Sequence, residues 1–361
     1  MTTKQHLMNF DRPMLKAFME SLGEPAFRGD QVFQWIHQHG VTDPALMKNI
    51  GKAAQQKLIE QTECPLLSIA EDHLSSDGTR KWLFALKDGN KIETVYIPEK
   101  NRGTLCISSQ VGCALNCRFC STGAMGFNRS LSISEVIGQV WMARHLLGDF
   151  ERKENRLITN VVMMGMGEPL LNDEAVIPAM DMMMDDLGYG LSKYRVTLST
   201  SGVVPKMWEL AEKSNCALAV SLHAPTDELR DVLVPINKKY PLKMLMKACK
   251  DFFQKEPKRQ VTFEYTMLKG VNDSVEIAKK LAALVKNIPC KINLIPFNTF
   301  PGTSYECSDW ETIVAFQQTL QSFDLNTTIR KTRGDDVNAA CGQLVGDFTD
   351  RTRRRTGSIS T

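Results

Sequence analysis

Long apolar runs are what this 361-residue sequence lacks. No leading run of signal-peptide type follows MTTKQHLMNF, and no uncharged stretch approaches the roughly 20 residues needed to cross a bilayer. The expectation is a cytoplasmic protein with no membrane partner. Charge of one sign is scarce too: 44 Lys and Arg face 41 Asp and Glu, a formal +3, too little to argue for nucleic acid by itself. The local exception is RTRRRTGSIST at the C-terminus, which reads either as a solvated tail or as a phosphate contact. Ten cysteines without secretory features point to thiol or metal chemistry in a reducing compartment, not to a disulfide framework. One more absence is local. The stretch CALNCRFC, Cys113 to Cys120, holds three cysteines where a closed tetrahedral metal site needs four ligands.

What is present suffices for a folded enzyme. At 43% hydrophobic, the chain can bury one large core and a smaller satellite domain. Residues 1–70 read as a helical domain. In DRPMLKAFMESLG, Asp11 is a cap candidate and Gly23 a stop, while Val32, Trp35 and Ile36 are spaced helically. Residues 71–102 read as a β-hairpin linker turning at Asp88-Gly89-Asn90. From 103 to 345, six strand-like runs (TLCISS, NVVMMG, YRVTLST, ALAVSLHA, VTFEYTML, KINLIPF) alternate with helical or loop segments. The fold class expected is α/β, a partial (βα)6 barrel, with a basic tail over 346–361. Strand parity puts Thr104, Cys106 and Ser108 on one face, as it does Arg195 with Thr197 and Ser199, Ser221 with His223, and Thr262 with Glu264 and Thr266. Ordinary barrel interiors are packed with branched apolar residues. A polar lumen implies a ligand.

Cys113, Cys117 and Cys120 follow the first barrel strand, at the end where barrel enzymes place their active sites. Three thiolates can hold three irons of a [4Fe–4S] cluster and leave the fourth open to a small molecule; zinc completed by a distant ligand is the other possibility. The Cys-x3-Cys-x2-Cys loop with an aromatic, Phe119, before the third cysteine resembles the radical S-adenosylmethionine (SAM) superfamily. That resemblance implies a cluster on the three cysteines, with SAM chelating the open iron. It also implies SAM contacts from Gly167 and Glu168 in GMGEPLLN, from Ser199, from Ser221, Leu222 and His223, and from Asn298. Independently of any family, Gly165 and Gly167 allow close backbone approach, and Glu168 offers a carboxylate to an ammonium. His223 receives no acid or base role.

Two further cysteines narrow the reaction. Cys106 points to the lumen by parity, and Cys341 lies in the Gly-flanked polar segment RGDDVNAACGQL; Cys64, Cys216, Cys249, Cys290 and Cys307 read as small apolar fillers. The segments LAVSLHAPTDELRDVLVPINKKYPL, NLIPFNTFPGTSYECS and RKTRGDDVNAACGQL together resemble the RlmN/Cfr family of RNA adenine methyltransferases, over essentially the whole chain. Carbon 2 of adenine is electrophilic, as is the SAM methyl, so direct displacement is closed and a thiolate relay is a workable route. The resemblance implies that Cys341 becomes S-methylcysteine, that a second SAM yields a radical which activates that methyl, and that Cys106 forms a disulfide with Cys341 as product leaves. It assigns Glu93 in KIETVYIP as proton acceptor, although the residue alone passes for a solvent-facing strand position. It implies 23S rRNA and tRNA as substrates and a flavodoxin-type electron donor; a monomer is the default. The C8 methyltransferases share these cysteines and stay open as an alternative, as does a non-catalytic Fe–S RNA-binding module. With such substrates, the helical domain of residues 1–70 and the arginines of IRKTRGDD and RTRRR are candidates for RNA and phosphate contact.

Overall fold

The computed structural model describes residues 4–351 apart from 153, 255 and 257. Most of the arginine-rich tail, with its expected phosphate contacts, lies outside the described residues. The chain opens with helices α1 (Arg12–Ser21), α2 (Phe27–His37) and α3 (Lys52–Gln61). Asp11 caps α1 as expected, its side chain accepting from the Met14 amide at 2.8 Å. The α1 and α2 backbones touch at Gly29, where a Cβ would stand 2.6 Å from Lys16 Cα. The buried face of α2, including Val32, Phe33 and Ile36, packs onto α4 (Ile133–Leu146) of the barrel. Trp141 Nε1 donates to Ile36 O at 3.0 Å, and Phe33 alone gains about 2 to 3 kcal/mol from complete burial. One continuous hydrophobic core therefore runs from the N-terminal helices through the barrel.

Ten strands form one sheet in simple chain order: β1 (Ser68–Leu74), β2 (Arg80–Ala85), β3 (Lys91–Glu99), β4 (Arg102–Cys106), β5 (Asn160–Met163), β6 (Val196–Thr200), β7 (Ala217–Ser221), β8 (Val261–Met267), β9 (Cys290–Pro296) and β10 (Thr327–Ile329). From β4 to β10 every pairing is parallel, which makes the expected open βα barrel. The six expected strands are β4 to β9. Short β10 extends the sheet past them. The hairpin turns at Asp88-Gly89-Asn90 as expected, with Gly89 at φ +84°. It is not detached: β3 pairs antiparallel with β4, so the hairpin continues the barrel wall, and β1 ends it as an exposed edge. Alternate residues on the strands separate as parity predicts. Ile107, Leu198, Val220, Leu222, Phe263 and Tyr265 are sealed in the core, leaving their polar neighbours for the lumen.

Candidate active site

After β4 the chain makes a two-stranded ribbon, Gln110–Gly112 against Phe127–Ser130, that frames the cysteine loop. Cys113 N donates to Gly126 O at 2.6 Å and Cys120 N to Cys117 O at 3.2 Å, and a short helix, Ser121–Met125, follows directly. The loop thus stands at the C-terminal end of the strands. The thiols of Cys113, Cys117 and Cys120 all line one cavity. Burial pushes the Cys117 thiol up to about 12, with Cys120 adding to it, and burial also raises Cys113 and Cys120. Such thiols ionise readily only beside a cation. Among the described residues, no three His, Cys, Asp or Glu side chains converge as a single-ion site requires. The three cysteines instead share the lining of one cavity.

The remaining walls come from the next strands. Gly167 follows β5 at φ +101°, and a Cβ there would stand 2.5 Å from Gln110 Cβ, so only glycine lets the chain pass. Glu168 is buried, its Oε2 accepting from Ser201 N at 2.8 Å and its Oε1 from Leu170 N at 3.2 Å. Burial raises its pKa, and these amides oppose the rise. Ser199, Ser221, His223, Asn298 and Phe119 line the same cavity. Leu222 does not: its side chain is in the core and its carbonyl accepts from Arg230. His223, at φ +58°, packs its ring 4.1 Å from that of Phe119. Its Nδ1 accepts from the Thr266 amide at 3.0 Å, which puts the neutral ring's proton on Nε2, a buried atom with no hydrogen-bond partner among the described residues. Burial pushes His223 down to about 3. An orphan donor at a cavity wall suits a ligand acceptor.

Two structural features here were not legible in the sequence. Arg230 is completely buried and donates to the carbonyls of Ser201, Ser221 and Leu222 and to Asn237 Oδ1, tying together the strand ends that carry the site. A buried arginine in DELRDVL has no periodicity that marks it. Arg330, one of the IRKTRGDD arginines named as candidates for phosphate contact, donates from Nη1 to Cys341 Sγ at 3.6 Å, a contact its run does not signal.

Cys341 returns over the site on a loop after β10. Ser121 N donates to Gly342 O at 2.8 Å, Thr122 Oγ1 to Leu344 O at 2.6 Å, and Asn298 Nδ2 to Cys341 O at 3.2 Å. Cys106 is buried at the end of β4; burial pushes its thiol up to about 12, with Cys341 adding to the rise. The disulfide implied for this pair is absent: no disulfide joins any of the ten cysteines. Both sulfurs are free thiols here, and that of Cys341 accepts from the Arg330 guanidinium instead of bonding to Cys106. Glu93 lines neither this cavity nor the one below it. It is buried, not solvent-facing, with Lys81 Nζ 3.1 Å from Oε1 and Val345 N donating to Oε2 at 2.9 Å.

Below the thiols, the N-terminal half of the lumen holds a second cavity of about 600 Å3. Lys291, Arg330, Lys331 and Arg333 line it against Glu99 and Glu264, and Cys341 stands at its inner end as well as in the upper cavity.

Comparison with known proteins agrees with this geometry. Residues 5–64 match the ribosomal RNA large subunit methyltransferase N-terminal domain, and residues 107–281 match the radical SAM superfamily. The chain is 55% identical over 354 residues to a dual-specificity RNA methyltransferase RlmN of Pseudomonas putida, covering 98% of this chain and 93% of that one. A crystal structure of a radical SAM methyltransferase from Sphaerobacter thermophilus superposes with a TM-score of 0.86 at 38% identity, covering 94% of this chain and 99% of its own.

Proposed function

The chain belongs to the RlmN family of radical SAM RNA methyltransferases, and from that membership we propose that it methylates carbon 2 of specific adenosines in 23S rRNA and tRNA, with Cys341 carrying the methyl between SAM and the base. One observation carries the reading: Cys341 lines both cavities, facing the three thiols on one side and the basic lumen on the other. A relay residue has to meet two substrates, and this thiol stands where both can reach it.

The donors fit the expected cofactors in kind. When bound to Cys113, Cys117 and Cys120, a [4Fe–4S] cluster supplies the electron that cleaves SAM reductively to a carbon radical. Glu168 offers its carboxylate to the SAM ammonium, a charge-assisted bond, and His223 Nε2 offers a donor to a SAM acceptor. Ser199, Ser221 and Asn298 supply further polar contacts along the same wall. Arg330, donating to Cys341 Sγ, orients the sulfur that must attack the SAM methyl. The methyl then sits at the head of the lower cavity. There Lys291, Lys331 and Arg333 suit the phosphates flanking an unstacked adenosine. Cys106 is the second thiol, needed to free the product from Cys341. Glu93 is the proton acceptor in this reading, its carboxylate held beside the Cys341 loop by the Val345 amide. A flavodoxin-type electron donor, a monomeric chain and a reducing cytoplasm complete it; among the described residues no helix is long and apolar enough to cross a membrane.

The test is anaerobic incubation of the cluster-loaded protein with SAM, a reductant and either rRNA or tRNA, followed by mass spectrometry of nucleosides and assay of 5′-deoxyadenosine. The proposal expects 2-methyladenosine together with 5′-deoxyadenosine. The product 8-methyladenosine would move the assignment to C8 chemistry, and RNA binding without SAM cleavage would leave only a binding module.

A further inference from the structure

The loop carrying Cys341 has little regular structure of its own. A sulfur that must serve two partners has to be held in place by contacts from outside the loop. On the side of the cysteine loop those contacts come from Ser121, Thr122 and Asn298. On the hairpin side stands a buried ion pair. Lys81 on β2 and Glu93 on β3 are diagonal neighbours in the antiparallel register, which pairs Lys81 with Val95 and Leu83 with Glu93. Only 11% of the Lys81 side chain and 7% of that of Glu93 remain exposed.

We propose that Lys81 is a positioning residue for Cys341: with Glu93 it forms a latch that grips the reactive loop on both sides of the sulfur. Lys81 Nζ donates to Asn338 O at 3.4 Å, before Cys341 in the chain. Glu93 Oε2 accepts from Val345 N at 2.9 Å, after it. The two halves of the ion pair, 3.1 Å apart, therefore join the loop's flanks through one rigid sheet. If the pair served only to pack the hairpin, two apolar side chains of similar volume would do it without the desolvation of two charges. The bonds to the loop are what an apolar pair cannot reproduce. Lys81 lines neither cavity and so acts through the position of Cys341. The proposal rests on Cys341 being the reacting thiol, and its test needs neither SAM nor RNA.

The measurement is the rate of alkylation of Cys341 by iodoacetamide in the full chain, read by peptide mass spectrometry as a ratio to Cys106 in the same sample. Lys81→Met should raise that ratio about tenfold, the factor for roughly 1.4 kcal/mol of lost restraint, and Lys81→Arg should return it toward the parent value. Because Lys81→Met leaves a buried unpaired carboxylate and could fail to fold, the double variant Lys81→Met, Glu93→Leu is measured beside it, with the same rise expected. An unchanged ratio in the folded double variant overturns the latch. So does an equal rise at Cys106, Cys216 and Cys249, which would mean general loosening. Incubating the cluster-loaded parent protein with SAM and weighing it tests the relay separately: a latch effect with no methyl on Cys341 would keep the latch and remove the methyltransfer reading.

Discussion

Lowering the pH should weaken this protein through His37, at the seam between the helical domain and the barrel. His37 ends α2 and is 1% exposed, with Nδ1 3.2 Å from the Tyr189 hydroxyl and its ring 4.6 Å from Phe33. A helix C-terminus favours a cation by about 0.3 to 1 kcal/mol, but desolvation dominates and pushes His37 down to about 3. The Arg144 guanidinium donates to His37 O at 3.4 Å and fixes the end of the helix there. In the unfolded chain the ring titrates near 6.5. The folded value is depressed, so the contribution is fully present above that pH and is lost as pH falls, because the unfolded chain binds a proton that the native protein refuses. At pH 5.5 the loss from this one group is about 1.4 kcal/mol, and it grows by about 1.4 kcal/mol for each further unit until the folded value is reached. His37→Gln keeps a polar partner for Tyr189 and cannot titrate. Urea unfolding of both proteins at pH 7.5 and 5.5 should show the parent losing about 1.4 kcal/mol more than the variant. His223, buried to a similar degree, acts equally in both and cancels. Parallel losses in the two proteins would refute the reasoning and mean that water reaches the His37 ring.

Three further outcomes can be checked. Glu168→Gln removes the charge from a buried acceptor and should weaken SAM binding by about 10- to 150-fold, the equivalent of one charge-assisted hydrogen bond; a change of under about threefold in equilibrium dialysis would detach Glu168 from the SAM amino group. Replacing any of Cys113, Cys117 or Cys120 by Ala should abolish the visible iron–sulfur absorption and SAM cleavage together, and retained cleavage would refute the ligand set. Cys341→Ala should keep the cluster while intact mass shows no added methyl, whereas Cys106→Ala should trap RNA covalently on Cys341. Free methylated RNA at normal rates from Cys106→Ala would remove that thiol from product release.

Much of the fold could be read from the residues because its signals are local. The six runs from TLCISS to KINLIPF became β4 to β9, and Asp88-Gly89-Asn90 turned the hairpin, since strand parity and turn chemistry act over a few residues. The hairpin's place in the barrel wall was not readable in this way, because pairing β3 with β4 is a tertiary choice of edge. At the site, Ser199, Ser221 and His223 followed from the same alternation. Leu222 did not reach the cavity, since a strand cannot present two successive side chains to one face.

The sequence by itself determined the cysteine loop, the polar lumen and the membership those motifs imply, because each depends on residue type and short spacing. Tertiary structure alone decided what stands around the reacting sulfur. Glu93 looks like an exposed strand position and Lys81 and Val345 carry no motif, yet the fold joins all three around one buried ion pair, Val345 from 252 residues away. Nothing in the run of Arg330 reveals that the chain after β10 brings it to Cys341. Contacts at such separation leave no period in the chain, and the charge of a side chain does not reveal whether folding will desolvate it.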